Sequence, residues 1–372
     1  MAKKESKKQP QKGKDKQEKS FFFSLTSRVC MLLAAALMAL SYLSFVVNPA
    51  KLWVLSLFGI AFLPLVAANL FLFVWAVVRR SGTFIIPLLA IIPCIFFIGR
   101  YVQFSSNDEV PRADSNLKII SYNLGRFALS SDDSGIESRE QCADSVFAYL
   151  KSQDADIICL QEFYLNKSNV QKYVKRHFPG YHAEYYMFQG KKSSFGNVTL
   201  SRIPVSDKGV LKFEGSANLA IYTDHKIGQK RFRVYNCHFE SYNISFTGMV
   251  KSFVKDAGEA VTEAGTKMKR SILRRPQQVD KVFSNIEQCP YEAFVCGDFN
   301  DNPVSYTYYR MTRGREDSFV AAGEGFGATY SRLWPLLRID YILVPDSFKT
   351  VSCEVDHIDY SDHYHVVAEV EL

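Results

Sequence analysis

Three uncharged apolar stretches fill most of the first 100 residues and restrict the architecture more than anything else in the chain. Val29 to Val47 runs 19 residues, Leu52 to Val78 runs 27 and Thr83 to Gly99 runs 17, none with a charged side chain. A bilayer core about 30 Å thick is crossed by about 20 helical residues, with roughly 17–25 the working range. The expectation is a three-helix transmembrane anchor over 29–100. A basic start before an apolar run also describes a cleaved signal peptide. Here the run is too long for one, no small-x-small cleavage site follows, and two more apolar stretches come next. Pro64, Pro87 and Pro93 fit membrane helices, where neighbours re-satisfy the freed backbone groups.

Charge orients this anchor. Residues 1–28 carry eight Lys and Arg28 against Glu5, Asp15 and Glu18, a net +6, and the Lys/Gln/Ser-rich composition predicts a disordered tail. The loop at Asn48 to Lys51 holds one positive charge and that at Arg79 to Gly82 two. Positive-inside bias places the tail and the second loop in the cytoplasm. Three crossings then carry everything after Tyr101 to the outside of an inner or plasma membrane, the periplasm in a Gram-negative cell. Arg100, on the outer side, runs against this. No charge lies inside a stretch and Asn69 is the only strongly polar side chain there, so anchoring is favoured over transport.

Residues 101–116 read as a linker and 117–372 as one large domain. Of the chain's +7, the tail holds +6 and Lys51, Arg79, Arg80 and Arg100 another +4, so residues 105–372 carry −3. A broad basic face for duplex nucleic acid is not implied. Of eight cysteines, Cys159, Cys237 and Cys296 sit in apolar runs as small buried thiols do, and no CxxC or Cys/His cluster points to zinc. Disulfide pairing stays open.

Within 117–372 apolar runs end abruptly in polar clusters. Leu117 to Tyr122 ends at Asn123, Asp156 to Gln161 at Glu162, Phe232 to Cys237 at His238, and Ala293 to Val295 at Cys296-Gly297-Asp298-Phe299-Asn300. Gly196 to Leu200, Ile339 to Val344 and Val366 to Val370 are further strands, while Arg139 to Ser152 and Val279 to Ile286 have helical spacing. A lone Asp at a strand end is commonly a turn former or helix cap. Several such ends carrying metal- and phosphate-competent groups point to a rim where strands leave the core. The alternation fits an α/β sandwich with sheets inside and helices outside.

The ordered series ISYNLG, LQE, NCHFES, CGDFND, RIDYIL and SDHYHV resembles the endonuclease/exonuclease/phosphatase superfamily over about residues 117–372. The resemblance implies an α/β fold, a four-layered α/β/β/α sandwich here preceded by three transmembrane helices. It also implies Mg²⁺-dependent hydrolysis of phosphate esters, with Mn²⁺ an alternative ion, at one edge of the paired sheets. It assigns Asn123, Glu162 and Asp362 to the metal, with Glu162 the primary ligand. Asp298 and Asn300 would orient the attacking water and hold phosphoryl oxygens. His363 would be the site histidine, Asp340 the acid that fixes its tautomer, and His238 a histidine that contacts the phosphate or protonates the leaving oxygen. Arg202 matches a position packed near the site, though a surface ion pair explains it equally.

Gly125 departs from the pattern, since many nucleases of the family carry an acid there. Glu240 fits either an orienter of His238 or a solvated edge residue, and His365 either a site wall or a structural histidine. Residues 251–275 carry a net +4 and, with Phe246, Met249, Val250, Phe253 and Val254 nearby, suit either an ordinary amphipathic helix or a surface for anionic headgroups. The expected function is a membrane-anchored phosphodiesterase acting outside the cytoplasm on a phospholipid headgroup, nucleic acid or small phosphoester. No obligate protein partner is evident. The alternatives are a catalytically inactive binding module or an extracytoplasmic nuclease.

Overall fold

The structure, a computed structural model, describes residues 12–104, 116–128, 138–165, 169–191, 193–242 and 257–372. The first apolar stretch forms α1 (Lys12–Val46), in which Leu25–Val46 is long and apolar enough to cross a membrane. Residues 12–28 continue this helix where a disordered tail was expected over 1–28, and residues 1–11 of that tail lie outside the described residues. Lys, Gln and Glu are good helix formers, and extending an existing helix is far easier than nucleating one.

The expectation of three membrane-spanning helices is also corrected. The second stretch divides into α2 (Val54–Ile60) and α3 (Phe62–Val78), which meet at a 65° bend. Pro64 is the cause, because its ring clashes with the carbonyl four residues earlier, at Ile60. The third stretch is a shorter apolar helix, Gly82–Ile98, in which α4 (Ile85–Ile91) and α5 (Ile95–Ile98) flank a 3-10 turn containing Pro93. By length and composition one helix qualifies as a span, or two if the bent pair counts as one. The pieces pack on α1: Asn69 donates to the Ala34 and Leu65 carbonyls at 3.1 and 2.9 Å, and the Tyr42 hydroxyl to the Ala90 carbonyl at 2.8 Å.

Beyond the anchor come β1 (Val102–Gln103), β2 (Asn116–Asn123), α6 (Arg139–Ser152), β3 (Ile157–Leu165), α7 (Val170–His177), β4 (His182–Gln189), β5 (Ser194–Ser201), β6 (Val205–Lys212), β7 (Leu219–Ile227) and β8 (Lys230–His238). Then follow α8 (Ala257–Glu287), β9 (Glu292–Asp298), α9 (Tyr306–Met311), β10 (Arg315–Asp317), α10 (Ser318–Ala322), β11 (Gly325–Phe326), β12 (Asp340–Pro345), β13 (Lys349–Asp356) and β14 (His365–Glu371). Two six-stranded mixed sheets result, ordered β13-β14-β2-β3-β5-β4 and β10-β12-β9-β8-β7-β6. Only β2/β3 and β8/β9 pair in parallel among these strands.

Alternation along each strand builds the layers. Leu117, Ile119, Ile157 and Cys159 point between the sheets against Phe232, Val234, Phe294, Cys296 and Ile342. Ile120, Tyr122, Ile158 and Leu160 point outward to Val146, Phe147 and Leu150 of α6 and Val170 and Val174 of α7. On the far side Tyr235, Val295, Tyr341 and Leu343 meet Val279, Val282 and Ile286 of α8 with Tyr308 and Met311 of α9. This is the four-layered α/β/β/α sandwich. Strands buried on both faces read as continuous apolar runs, which is why the central ones stand out in the sequence. The apolar segment around Phe246 and Val254 lies outside the described residues. All eight cysteines are free.

The anchor docks directly on the sandwich. Ser44 Oγ donates to the Val304 carbonyl at 2.8 Å, Arg100 Nη1 to the Pro303 carbonyl at 2.9 Å and Asn302 Nδ2 to the Gly59 carbonyl at 3.0 Å. Phe45 packs on Tyr309 with ring centroids 5.1 Å apart. Residues 101–103 are no free linker: β1 pairs with β11, and Gly327 N donates to the Tyr101 carbonyl at 2.8 Å.

Candidate active site

The C-terminal ends of β2, β3, β8 and β9 and the starts of β12 and β14 converge at one edge of the two sheets. Antiparallel pairing sets Asp340 opposite Asp298, and parallel pairing sets His238 beside Asp298. A bulge between Leu160 and Phe163 breaks the β3 ladder at Glu162, which adopts a φ of +49°. Asn300, Arg126 and Phe127 also have positive φ, at 51°, 58° and 53°. Non-glycine residues in this region cost about 1–3 kcal/mol each and gather at functional sites.

Asp298, 1 % exposed, is the hub. Its Oδ2 accepts from Asn123 Nδ2 at 2.8 Å and Asn300 Nδ2 at 3.0 Å, and its Oδ1 from the Asn300 backbone at 2.7 Å. Burial first, then the neighbouring Asp340 charge, pushes the Asp298 carboxyl up to about 7. His363 Nδ1 lies 2.9 Å from Asp340 Oδ2. Burial pulls the His363 imidazole down, but Asp340, Asp298 and Asp362 outweigh it and raise it to about 10. His238 Nε2 sits 3.7 Å from both Glu162 Oε1 and Asp298 Oδ2 and is buried without a hydrogen-bond partner. Burial lowers its pKa.

Glu162 and Asp362 are the more open acids, with side chains 23 and 32 % exposed. Glu162 Oε2 accepts from Arg126 Nε at 3.0 Å, and Asp362 lies 3.8 Å from Arg332 Nε. Gly125 explains its own departure from the acid found in many nucleases: its φ is +50°, and a Cβ there would sit 2.9 Å from Asp362 Oδ1. The Asp362 carboxylate occupies the room that a side chain at 125 would need. Asp298, Asp340 and His363 offer ligand atoms within 4.8 Å of one another. With Asn123, Glu162 and Asp362 at the same edge, the donors are mostly hard oxygens, and the unpartnered Asp340 Oδ1 adds another. The residues present therefore fit a divalent cation.

A family model for the Endonuclease/Exonuclease/phosphatase family matches residues 120–363. The chain belongs to this family. Its members are generally phosphoester hydrolases that use a divalent metal. A second family model, a domain of unknown function, matches residues 20–101. No curated protein matches the sequence. Among solved structures, the Beutenbergia cavernae endonuclease/exonuclease/phosphatase is 17 % identical with a TM-score of 0.51, covering 69 % of this chain and 72 % of its own. The Bacteroides vulgatus endonuclease/exonuclease/phosphatase is 19 % identical with a TM-score of 0.50, covering 70 % and 100 %. D. rerio TDP2 complexed with a single strand DNA product is 16 % identical with a TM-score of 0.50, covering 70 % and 100 %. These likenesses are of fold.

Asn123, Glu162, His238, Asp298, Asn300, Asp340, Asp362 and His363 thus share one edge of this family's fold. Arg202 does not. It binds Asp154 and lies over Tyr181, at the end of β3 opposite Glu162, because β3 and β5 run antiparallel and residue 201 pairs with 157. Glu240 neither orients His238 nor faces solvent: it is buried and takes hydrogen bonds from Ser216, Gln278 and Arg274. His365 is fully buried, shares a 3.0 Å hydrogen bond with the Tyr149 hydroxyl and packs on Tyr122 in the outer layer. Arg275 is buried against Asp301 at 3.0 Å, so it is no surface charge.

Sequence reading missed Arg126 on Glu162, and Thr329, whose hydroxyl accepts from the Asp340 backbone at 3.1 Å. Neither lies in a strand-end pattern. It also missed that Arg126, Arg270 and Arg274, with Phe195, line a cavity of about 320 Å³ beside Glu162 and His238.

Proposed function

We propose that the chain is a membrane-anchored, metal-dependent hydrolase of phosphate esters, most simply a phosphodiesterase, working outside the cytoplasm. The observation that carries this is the convergence of Asp298, Asp340 and His363, nearly buried, with Asn123 and the more open Glu162 at one sheet edge. Glu162, Asn123 and Asp362 would hold Mg²⁺ or Mn²⁺, which when bound neutralises charge on the phosphoryl oxygens. Asp298, steadied by Asn123 and Asn300, is placed to orient a water and take its proton. His363, fixed by Asp340, presents Nε2 as a donor for a phosphoryl oxygen. Asn300 adds an amide beside it, and His238 faces the leaving oxygen. Donors set in place before charge develops act more strongly in a buried site than in water. Every position this chemistry needs is filled, which favours an enzyme over an inactive binding module.

Sidedness rests on α1 together with the charge rule. The sandwich docks on the C-terminal end of α1, at Ser44 and Phe45, whereas the basic residues 12–28 form its other end. With the basic end in the cytoplasm, residues 117–372 lie outside it. Contact with the C-terminal end of α1 supports this side however many times the later apolar pieces cross.

The test is turnover of a soluble chromogenic phosphodiester by the detergent-solubilised full chain, with Mg²⁺ and with chelator, and Asp298→Asn as control. Metal-dependent turnover lost in the variant is expected, and turnover insensitive to chelator or to the substitution would sink the reading. Protease accessibility of a C-terminal tag in right-side-out and inverted vesicles tests the topology.

A further inference from the structure

Of the nine exposed large apolar side chains beyond the anchor among the described residues, five lie at Phe104 and in the loop from Phe326 to Leu336, while Tyr185, Val210, Val261 and Val320 lie outside these segments. Phe104, Phe326, Leu333, Trp334 and Leu336 are 90, 46, 45, 45 and 48 % exposed. Val102 of β1 pairs with Phe326 of β11, and the Phe326 and Trp334 rings meet edge-on with centroids 5.6 Å apart. Phe104 follows β1 directly, six positions past the end of α5 at Ile98. The patch is thus continuous with the segment leaving the apolar helices.

The same loop forms the rim of the active site. Tyr330 bridges to His363, Ser331 donates from its backbone and hydroxyl to the Asp362 carbonyl at 3.0 Å, and Arg332 faces the Asp362 carboxylate. One side of residues 325–336 is therefore built onto Asp362 and His363 and the other onto Tyr101–Gln103, and the Trp334 ring packs on Phe326 and His357 while staying half exposed, as Leu333 and Leu336 do. Trp, Phe and Leu are the side chains that settle at a membrane–water boundary.

Helix α8 carries basic groups toward the anchor. Lys269 lies 5.1 Å over the ring of Trp53, in the turn that follows α1. One residue and one further turn along, Arg270 and Arg274 line the cavity beside Glu162 and His238. A basic, aromatic rim and an apolar wedge on one domain suit a phospholipid surface, phosphates above and acyl chains below.

We propose that residues 326–336 with Phe104 form a wedge that seats the active-site rim on the bilayer holding the anchor, and that the phosphate ester cleaved is a lipid headgroup. This rests on the hydrolase reading above. The −3 charge of residues 105–372 argues the same way, since a duplex substrate would call for a broad basic footprint.

The test uses the full chain in phosphatidylcholine/phosphatidylglycerol proteoliposomes and compares wild type with Leu333→Ser/Trp334→Ser/Leu336→Ser. All three positions are half exposed and away from the reacting groups. Headgroup release is expected to fall at least about tenfold in the variant, with turnover of the soluble diester unchanged. In a Trp53→Phe/Trp75→Phe background, Trp334 fluorescence is expected to be quenched by brominated lipid. Absence of quenching, or equal headgroup release by variant and wild type, overturns the wedge. Wild-type cleavage of the soluble diester and single-stranded DNA but of no lipid overturns the headgroup assignment while sparing the hydrolase. Cleavage of nothing overturns the hydrolase reading and the headgroup with it, and quenching then still decides the wedge.

Discussion

Asp298 and Asp340 face each other across a strand pair, both buried, and the structure resolves their repulsion unevenly. Asp340 is paired with His363, while Asp298 is held by amides and pushed up to about 7. Asp340→Asn keeps the shape and removes the charge that orients His363. Turnover of a soluble phosphodiester is expected to drop roughly 10²–10⁴-fold, with the circular dichroism spectrum unchanged; near-wild-type turnover would discard the pairing. Histidines outside the site make a prediction about acid. Burial pulls His225 down to about 4, against about 6.5 when unfolded, while Ile203 and Pro204 carbonyls oppose the drop. The unfolded chain takes the proton first, so the stabilisation is whole above about pH 6.5, shrinks as pH falls and is gone near 4. The loss at full extent is roughly 3 kcal/mol. Thermal midpoints between pH 7 and 4.5 should fall more steeply for wild type than for His225→Phe, and parallel curves would contradict this.

Two glycines near the site differ in what surrounds them, and the elements show why. Gly297 lies in β9 where it pairs with β8, has a φ of +133°, and a Cβ there would sit 1.9 Å from the Cys237 carbonyl oxygen. Backbone has to move to admit it, so Gly297→Ala is expected to cost well over ~2 kcal/mol and displace Asp298. At Gly125 the obstacle is the tip of the Asp362 side chain. Gly125→Ala should therefore cost only about 1 kcal/mol, the ordinary penalty of a left-handed alanine, while still lowering turnover by shifting Asp362. Chemical denaturation of both variants separates the cases, and equal losses would refute the distinction. Helix α8 is pinned by Arg275, which reaches Asp301, Tyr242 and the Glu240 carbonyl. Arg275→Met leaves Asp301 buried and unpaired, a loss of about 3–5 kcal/mol. A denaturation midpoint within error of wild type would mean that the pair holds nothing.

At the scale of the whole molecule the anchor is part of the catalytic fold. Ser44, Gly59 and Arg100 hold Asn302, Pro303 and Val304, which begin two residues after Asn300. Arg338, buried and paired with Asp317, donates to the Arg100 carbonyl at 3.0 Å, and its neighbour Tyr341 reaches the Asp301 carbonyl. A chain starting at residue 105 loses the contacts made by Ser44, Gly59 and Arg100 and the β1–β11 pair. It is expected to melt several degrees lower than the full chain and to turn over soluble diester more slowly. Equal melting and turnover would show the anchor to be a mere tether.

The central strands and their polar ends were legible in the sequence because burial on both faces demands unbroken apolar runs, and function shows where such runs stop on Asn123, Glu162, His238 and Asp298. The edge strands β4, β6, β10 and β13 escaped notice, since strands with a solvated face carry polar residues that read as loop, and so did the central β7, whose buried Thr223, Asp224 and His225 interrupt its apolar run. Glu240 and Arg275 were misplaced, and Arg202 was left between the site and the surface ion pair it makes, for one reason: local sequence reveals a charge but not the partner that buries or diverts it. Sequence pattern and motif order determined an apolar N-terminal region, an α/β sandwich and a rim of phosphate-competent side chains. Tertiary structure alone decided that Pro64 breaks the second apolar stretch, that Asp362 fills the space beside Gly125, and that Trp334 stands exposed next to the anchor. Those outcomes depend on which distant backbones meet, and contacts between remote segments leave no periodicity in the chain for a reader to find.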